Sequence, residues 1–144
     1  MENYFNKLEM KLLAKSENEA FARSSVASFV LALNPTLEEI NDIKTAVSEA
    51  VTNCIVHAYK GLNNQTILIS VGLDNNKVEI IIQDSGAGIE DVETALQPFF
   101  TTKPEEERSG MGFTLMKTFM DDVIVTSKVN EGTKVTMFKT IKED

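Results

Sequence analysis

Apolar and charged residues alternate near the start of the chain. Leu8, Met10 and Leu12 are separated by Glu9 and Lys11, which predicts a strand with one wet face over residues 4–13. The period then lengthens. Val26, Phe29, Val30 and Leu33 recur at i, i+3, i+4 and i+7, the stripe of an amphipathic helix. Ser16-Glu17-Asn18-Glu19 has the form of a capping box and sets its start near Glu17. Asn34-Pro35 sets its end, because a residue before proline is pushed out of the helical region. Thr36-Leu37-Glu38-Glu39 is a second capping box. The helix it opens is predicted to run from Leu37 to Ala58, with Ile40, Ile43, Val47, Val51, Cys54, Ile55 and Ala58 on a wide apolar face.

Beyond a loop at Gly61 to Asn64 the period shortens to two. Residues 65–73 and 77–83 read as strands joined by the turn-forming run Asp74-Asn75-Asn76. Glu90 to Leu96 reads as a short acidic turn, and Pro98 to Ser109 as irregular. A helix is predicted from about Gly112 to Met120. Residues 122–129 and 133–141 form a closing hairpin across Asn130-Glu131-Gly132. Hairpins make antiparallel pairs, and these helices come in groups instead of alternating with strands. The expected fold is therefore α+β: a two-layer sandwich with a mixed, mainly antiparallel sheet and three main helices on one face. Residues 1–144 read as a single domain.

Composition narrows the class. With 42% hydrophobic and 25% charged residues, the chain has the make-up of a folded domain and not of a disordered or fibrous one. No apolar run approaches the ~20 residues of a membrane span. Met1-Glu2-Asn3-Tyr4 does not open a basic-then-apolar segment, so no signal peptide is expected. The single cysteine, Cys54, rules out an internal disulfide and suits a reducing cytoplasm. The net charge of −8 argues against direct nucleic-acid binding, which needs clustered Lys and Arg.

Candidate chemistry falls in three places. Glu49, Asn53 and His57 are spaced by four and so share one helical line. A nucleotide and its metal would give them partners: Glu49 to orient or deprotonate a hydroxyl, Asn53 to offer an oxygen to Mg²⁺, His57 to approach a phosphate. The same spacing also suits a solvated helix face. The second place is Gln83-Asp84-Ser85-Gly86-Ala87-Gly88-Ile89, after the apolar run Val78-Glu79-Ile80-Ile81-Ile82. By parity Asp84 shares a strand face with Val78, Ile80 and Ile82, at the rim of the core, where an adenine amino group would satisfy it. A turn-forming aspartate bonded to its own loop is the alternative. Thr133 shares a face with Val135 and Met137 and could look into the same space. Gly86 and Gly88 would keep the loop clear of base and sugar. The third place is Gly110-Met111-Gly112, which opens a helix whose free N–H groups suit a phosphate. Lys103 and Arg108 precede it as the bases able to reach a terminal phosphate. The P-loop, the dinucleotide fingerprint and the H-R-D and D-F-G kinase motifs are all absent, so an ATP site here has a different architecture.

These blocks resemble, in order and spacing, the motifs of the GHKL (Bergerat-fold) ATPases, which include gyrase, Hsp90, histidine kinases and MutL. Glu49-Ala50-Val51-Thr52-Asn53-Cys54-Ile55-Val56-His57 is similar to the N box, Asp84 to Gly88 to the G1 box, Gly110-Met111-Gly112-Phe113 to the G2 box, and Gly132-Thr133 to the late threonine motif. With Phe99-Phe100-Thr101-Thr102-Lys103-Pro104 between the glycine pairs, the chain resembles the small bacterial anti-sigma factor serine kinases, those of sporulation above all. Ala58 departs from the glycine expected after the histidine.

The resemblance implies a protein that inhibits a sigma factor and uses Mg²⁺ and ATP to phosphorylate a serine on an anti-anti-sigma protein, with ADP as product. It implies Glu49 as general base, Asn53 as Mg²⁺ ligand, Asp84 as adenine reader and Thr133 as its support. It implies a lid, from Thr101 and Thr102 through Lys103, Arg108, Ser109, Gly110 and Met111 to Gly112, around the phosphates, with His57, Gly86, Gly88 and Phe113 also at the nucleotide. Relatives are homodimers. The first strand and helix would be the interface, and Arg23 is a candidate contact to sigma. A general-stress kinase of the same kind, a histidine-kinase module and a nucleotide sensor without catalysis are the competing expectations.

Overall fold

A computed structural model describes residues 3–62, 64–97 and 112–142. Five strands form one sheet: β1 (Asn6–Leu13), β2 (Thr66–Asp74), β3 (Lys77–Asp84), β4 (Asp122–Lys128) and β5 (Gly132–Thr140). Their spatial order is β1-β2-β3-β5-β4. All four pairings are antiparallel, so the expected mixture of parallel and antiparallel pairs is not found among the described strands. The reason lies in the connection after β3. It skips one place to β4, and the closing hairpin then returns β5 into the gap beside β3.

Three helices cover one face: α1 (Glu17–Val30), α2 (Leu37–Asn53) and α4 (Gly112–Phe119), with α2 between the other two. A fourth, α3, is one turn long (Val92–Ala95). The strand periods are as the sequence predicts. Ile67, Ile69, Val71 and Leu73 of β2 and Val78, Ile80 and Ile82 of β3 are fully buried under the helices. Val26 and Val30 of α1, Ile43, Val47 and Val51 of α2, and Met116 of α4 close the core from above. On the other face the Tyr4 ring lies on Gly72, where a side chain would collide with it, and the Tyr4 hydroxyl donates to the Glu79 carboxylate.

The helix ends show which local signals act. Thr36 caps α2 with a complete capping box: its hydroxyl accepts from Glu39 N–H at 3.1 Å, and the Glu39 carboxylate accepts from Thr36 N–H at 2.9 Å. The matching box expected at Ser16 does not form. Ser16 is itself in the helical region and makes no side-chain cap. The turn closes one step earlier, through Asn18 N–H to the Lys15 carbonyl at 2.9 Å. The Glu19 carboxylate, free of capping, takes Arg23 at 2.8 and 2.9 Å. α1 tightens into a 3₁₀ turn at Leu31–Leu33 and stops at Asn34, whose φ of 54° is left-handed. The helix expected to continue to Ala58 ends its α-helical part at Asn53 and proceeds as a π turn over Cys54–Ala58.

Candidate active site

The π turn is the local feature that organises the site. A π turn carries an extra residue in each hydrogen-bonded loop, so it re-aims the side chains that follow it. Glu49 and Asn53 remain on one α-helical line, whereas His57 lies inside the widened turn. Its closing bond runs from Tyr59 N–H to the Cys54 carbonyl at 3.0 Å. Tyr59 is 4% exposed, and its hydroxyl is held from two sides. It donates to the Thr66 carbonyl at 2.6 Å and accepts from Ser85 N–H at 2.7 Å. One side chain thus ties the end of the π turn to the start of β2 and to the loop after β3.

Three segments interlock around that loop. Ala87 N–H donates to the Ala58 carbonyl at 2.9 Å, and Asn130 N–H donates to the Ala87 carbonyl at 2.7 Å. Ile89 N–H donates to Ser127 Oγ at 2.7 Å, and Ser127 Oγ lies 2.8 Å from Thr133 Oγ1. The glycines make this contact possible. A methyl on Gly86 would stand 2.6 Å from the Ala58 carbonyl carbon, and one on Gly88 2.6 Å from that of Lys128. Gly88 and Gly132 also have φ of 76° and 116°, which favour glycine. The missing side chains therefore make room for neighbouring backbone. Gly88 also lines the cavity described below.

Asp84 stands at the end of β3, directly opposite Thr133 of β5. Its Oδ1 accepts from Gly86 N–H at 2.9 Å and from Thr133 N–H at 3.3 Å. Burial raises the Asp84 pKa above its ordinary value, and these donors offset only part of that rise. Burial first, and the Asp84 charge second, push the Cys54 thiol well above the usual range, so it stays protonated.

These groups border one cavity of about 520 Å³, within the usual range for a small-molecule site. Of the candidate residues, Asn53, His57, Asp84, Gly88, Gly112, Phe113 and Thr133 line it. Glu49 borders the same end. A methyl built on Gly112 would stand 3.2 Å from Asn53 Oδ1 and 3.6 Å from Glu49 Oε2. Gly112 therefore lets α4 rest directly on this part of α2. Gly86 faces Ala58 instead of the cavity. Thr101, Thr102, Lys103, Arg108, Ser109, Gly110 and Met111 lie outside the described residues. The sequence reading missed Tyr59 and Ser127, and it placed Cys54 only in the core. An aromatic hydroxyl following an apolar helix face was a signal for Tyr59; nothing local marked Ser127.

The donor set suits a purine nucleotide at one end and a hydrated hard cation at the other. Asp84 offers a fixed acceptor in an otherwise apolar recess, which matches an exocyclic amine. No group of three or more His, Cys, Asp or Glu that could hold a metal is found among the described residues. An amide oxygen with a carboxylate nearby fits Mg²⁺, which keeps waters and takes its remaining ligands from phosphate.

Comparison with known proteins defines the class. The family described as "Histidine kinase-like ATPase domain" matches residues 12–139, and the chain belongs to that family. Within it, the chain is 57% identical over 138 residues to an anti-sigma F factor of Caldanaerobacter subterraneus subsp. tengcongensis, covering 96% of each chain. It is 55% identical over 141 residues to the anti-sigma F factor of Thermoanaerobacter pseudethanolicus, covering 98% of each, and 54% identical over 136 residues to that of Geobacillus kaustophilus, covering 94% of this chain and 93% of the relative. The fold resembles a Mycobacterium tuberculosis protein solved as its RsbU and RsbW domains, with a TM-score of 0.67 at 16% identity over 94% of this chain and 32% of that one. It also resembles the catalytic domain of the histidine kinase ThkA, with a TM-score of 0.59 at 18% identity over 95% and 97%.

Proposed function

We propose that the chain is an anti-sigma factor of the sporulation, sigma F type, and an ATP-dependent protein serine kinase. It binds a sigma factor and withholds it from RNA polymerase. It also phosphorylates a serine on an anti-anti-sigma protein and so inactivates that antagonist. The observation that carries this reading is the 57% identity over 138 residues to an anti-sigma F factor.

Bound Mg-ATP would supply the phosphoryl group and most of the charge neutralisation. Phosphoryl transfer asks the protein mainly for positioning, with one group to orient the nucleophile. Asp84 would accept from the adenine amine, and Thr133 N–H bonds the Asp84 carboxylate. Asn53 would give an oxygen to Mg²⁺. Glu49, one turn before Asn53 on the rigid α2, takes the proton of the incoming serine hydroxyl. His57, Thr101, Thr102, Lys103 and Arg108 are assigned to the phosphates. Two copies associate through β1 and α1, and Arg23, paired with Glu19, meets the sigma factor by exchanging that surface pair for a partner carboxylate. The site of action is the cytoplasm.

The test incubates the protein with Mg-ATP and a candidate anti-anti-sigma partner and assays the partner for phosphoserine. Glu49→Gln is expected to bind ADP normally and to lose the phosphorylation. A variant that phosphorylates at the wild-type rate removes Glu49 from the mechanism, and a wild-type protein that transfers nothing leaves a nucleotide sensor.

A further inference from the structure

Lys139 continues the helix-facing parity of Val135 and Met137 on β5, so a lysine stands where an apolar residue is expected. It is 9% exposed. A buried ammonium needs partners, and two are present. Lys139 Nζ donates to the Phe119 carbonyl at 2.7 Å and lies 3.5 Å from Asp42 Oδ2. Phe119 ends α4, and Asp42 lies near the start of α2. We infer that Lys139 is a positioning residue, which sets α4 against α2 and so holds the α4 wall of the cavity in place for the nucleotide; this rests on the reading of that cavity as the nucleotide site.

The two helices are tied at both ends of α4. At its start, Gly112 rests against Asn53 and Glu49, towards the C-terminal end of α2. At its last residue, Phe119 is joined through Lys139 to Asp42. α4 therefore runs antiparallel to α2, with the two ties about 10 Å apart along its axis. Gly112 has no side chain to interlock, so its contact sets the separation of the helices and leaves their register free. The Lys139 bonds set the register. The cation also meets the carbonyl end of the α4 dipole, where positive charge is favoured, and takes one of the last carbonyls, which lack a partner inside the helix. β5 secures the segment that follows: Asp121 N–H donates to the Phe138 carbonyl at 2.8 Å, and the Asp121 carboxylate accepts from Thr140 N–H at 2.6 Å. Of these contacts, that of Lys139 is the one that reaches α2. A short helix moves as a rod, so a displaced last turn displaces the first, where Gly112 and Phe113 line the cavity.

The experiment combines amide NMR spectra with calorimetry of ADP and Mg-ATP binding on the full chain, as wild type, Lys139→Met, Asp42→Asn and Val71→Ala. Val71 is a fully buried control on β2, which β3 separates from β5. Lys139→Met is expected to shift the Gly112 amide signal, at the far end of α4, and to weaken both nucleotides roughly three- to thirtyfold. Asp42→Asn keeps the bond from Lys139 to Phe119 and should shift the Gly112 signal in the same direction by less. Val71→Ala should lower the urea midpoint and leave the Gly112 signal and both affinities near wild type. If Lys139→Met leaves the Gly112 signal in place, or if Val71→Ala moves it and weakens binding as much, Lys139 is a packing residue and the inference falls. If Lys139→Met does not fold, Asp42→Asn decides, and an unmoved Gly112 signal there overturns the inference. A wild-type protein that binds neither nucleotide overturns the cavity reading instead, while the Gly112 signal still decides whether Lys139 sets α4.

Discussion

Replacing Gly86 with alanine tests whether the site is shaped by backbone packing. The added methyl would stand 2.6 Å from the Ala58 carbonyl carbon and 2.9 Å from the Ala58 Cβ, and closer still to the carbonyl oxygen. None of these is the end of a flexible side chain, so the loop or the π turn must move. Overpacking of this kind costs about 1–3 kcal/mol. The displaced contact also contains the bond from Ala87 N–H to the Ala58 carbonyl, whose loss adds about 1 kcal/mol. The expected destabilisation is therefore about 2–4 kcal/mol, or roughly 10 °C in Tm for a domain of this size. Urea unfolding should show a lower midpoint with an unchanged slope, and ADP affinity should fall because Asp84 and Gly86 share a hydrogen bond.

A second variant makes the reasoning sharper. Ala58→Gly removes the methyl but leaves the carbonyl, which is the worse obstacle. The double variant Ala58→Gly/Gly86→Ala should therefore be no more stable than Gly86→Ala alone. Full rescue by Ala58→Gly would refute the argument, since it would make the methyl the obstacle and the carbonyl contact irrelevant. A Gly86→Ala protein that unfolds at the wild-type midpoint refutes it more directly.

Two further predictions concern ionisation. Both tyrosines titrate late: burial, then the Glu79 carboxylate, push Tyr4 up to about 12, and burial, with the Asp84 charge, raises Tyr59. A raised pKa means the protonated phenol favours the folded state, so this stability is present below pH 10 and lost as pH rises through the native values. Absorbance titration should find no phenolate forming near pH 10 until the protein unfolds; a native tyrosine ionising there would contradict it. Glu39 shifts the other way. Burial alone would raise it, but N–H groups of Lys142 and Thr36 outweigh that and lower it. Its contribution is present above about pH 4.5 and lost as pH falls through the lowered value. Glu39→Ala should cost about 2 kcal/mol at pH 7 and leave acid unfolding less steep, as checked by urea titration across pH 3–7.

The sheet was the most legible part of the fold, because a period of two leaves little choice. Parity alone put Asp84 and Thr133 on the helix side, and they are register partners across β3 and β5. The Thr36 cap was legible for the same reason: its signal is local and complete. Ser16 carried the same letters without the same result, because Lys15 and Ser16 were already turning. The π turn had no local signal. It is held by contacts to residues far along the chain, Thr66 and Ser85 through Tyr59, and Gly86 and Ala87 through Ala58. The backbone packing of Gly86 and Gly88 was not legible for a related reason. A sequence shows that a position lacks a side chain, but not whether backbone or ligand fills the space. α3 was read as a turn, although Asp91 caps it through Thr94 N–H at 3.2 Å, because four residues are too few to show a period.

The two ends of the cavity are built in different ways, and this separates their tolerances. The Asp84 end is a clasp of three chain segments joined by backbone hydrogen bonds, so a change there displaces several groups at once. At the Glu49–Asn53 end the two helices α2 and α4 meet closely at Gly112. A methyl at Gly112 would be 3.2 Å from Asn53 Oδ1 and 3.3 Å from its Nδ2, tight but against a side chain that can give. Gly112→Ala should therefore cost little stability, about 1 kcal/mol or less, because Asn53 can turn aside and alanine favours helix over glycine. The same movement takes the Asn53 oxygen from its place. Mg²⁺-dependent binding of ATP should then weaken while metal-free ADP binding stays near wild type. Calorimetry with and without Mg²⁺ separates the two terms, and an unchanged Mg²⁺ dependence would show that Asn53 is not positioned by the packing of α4.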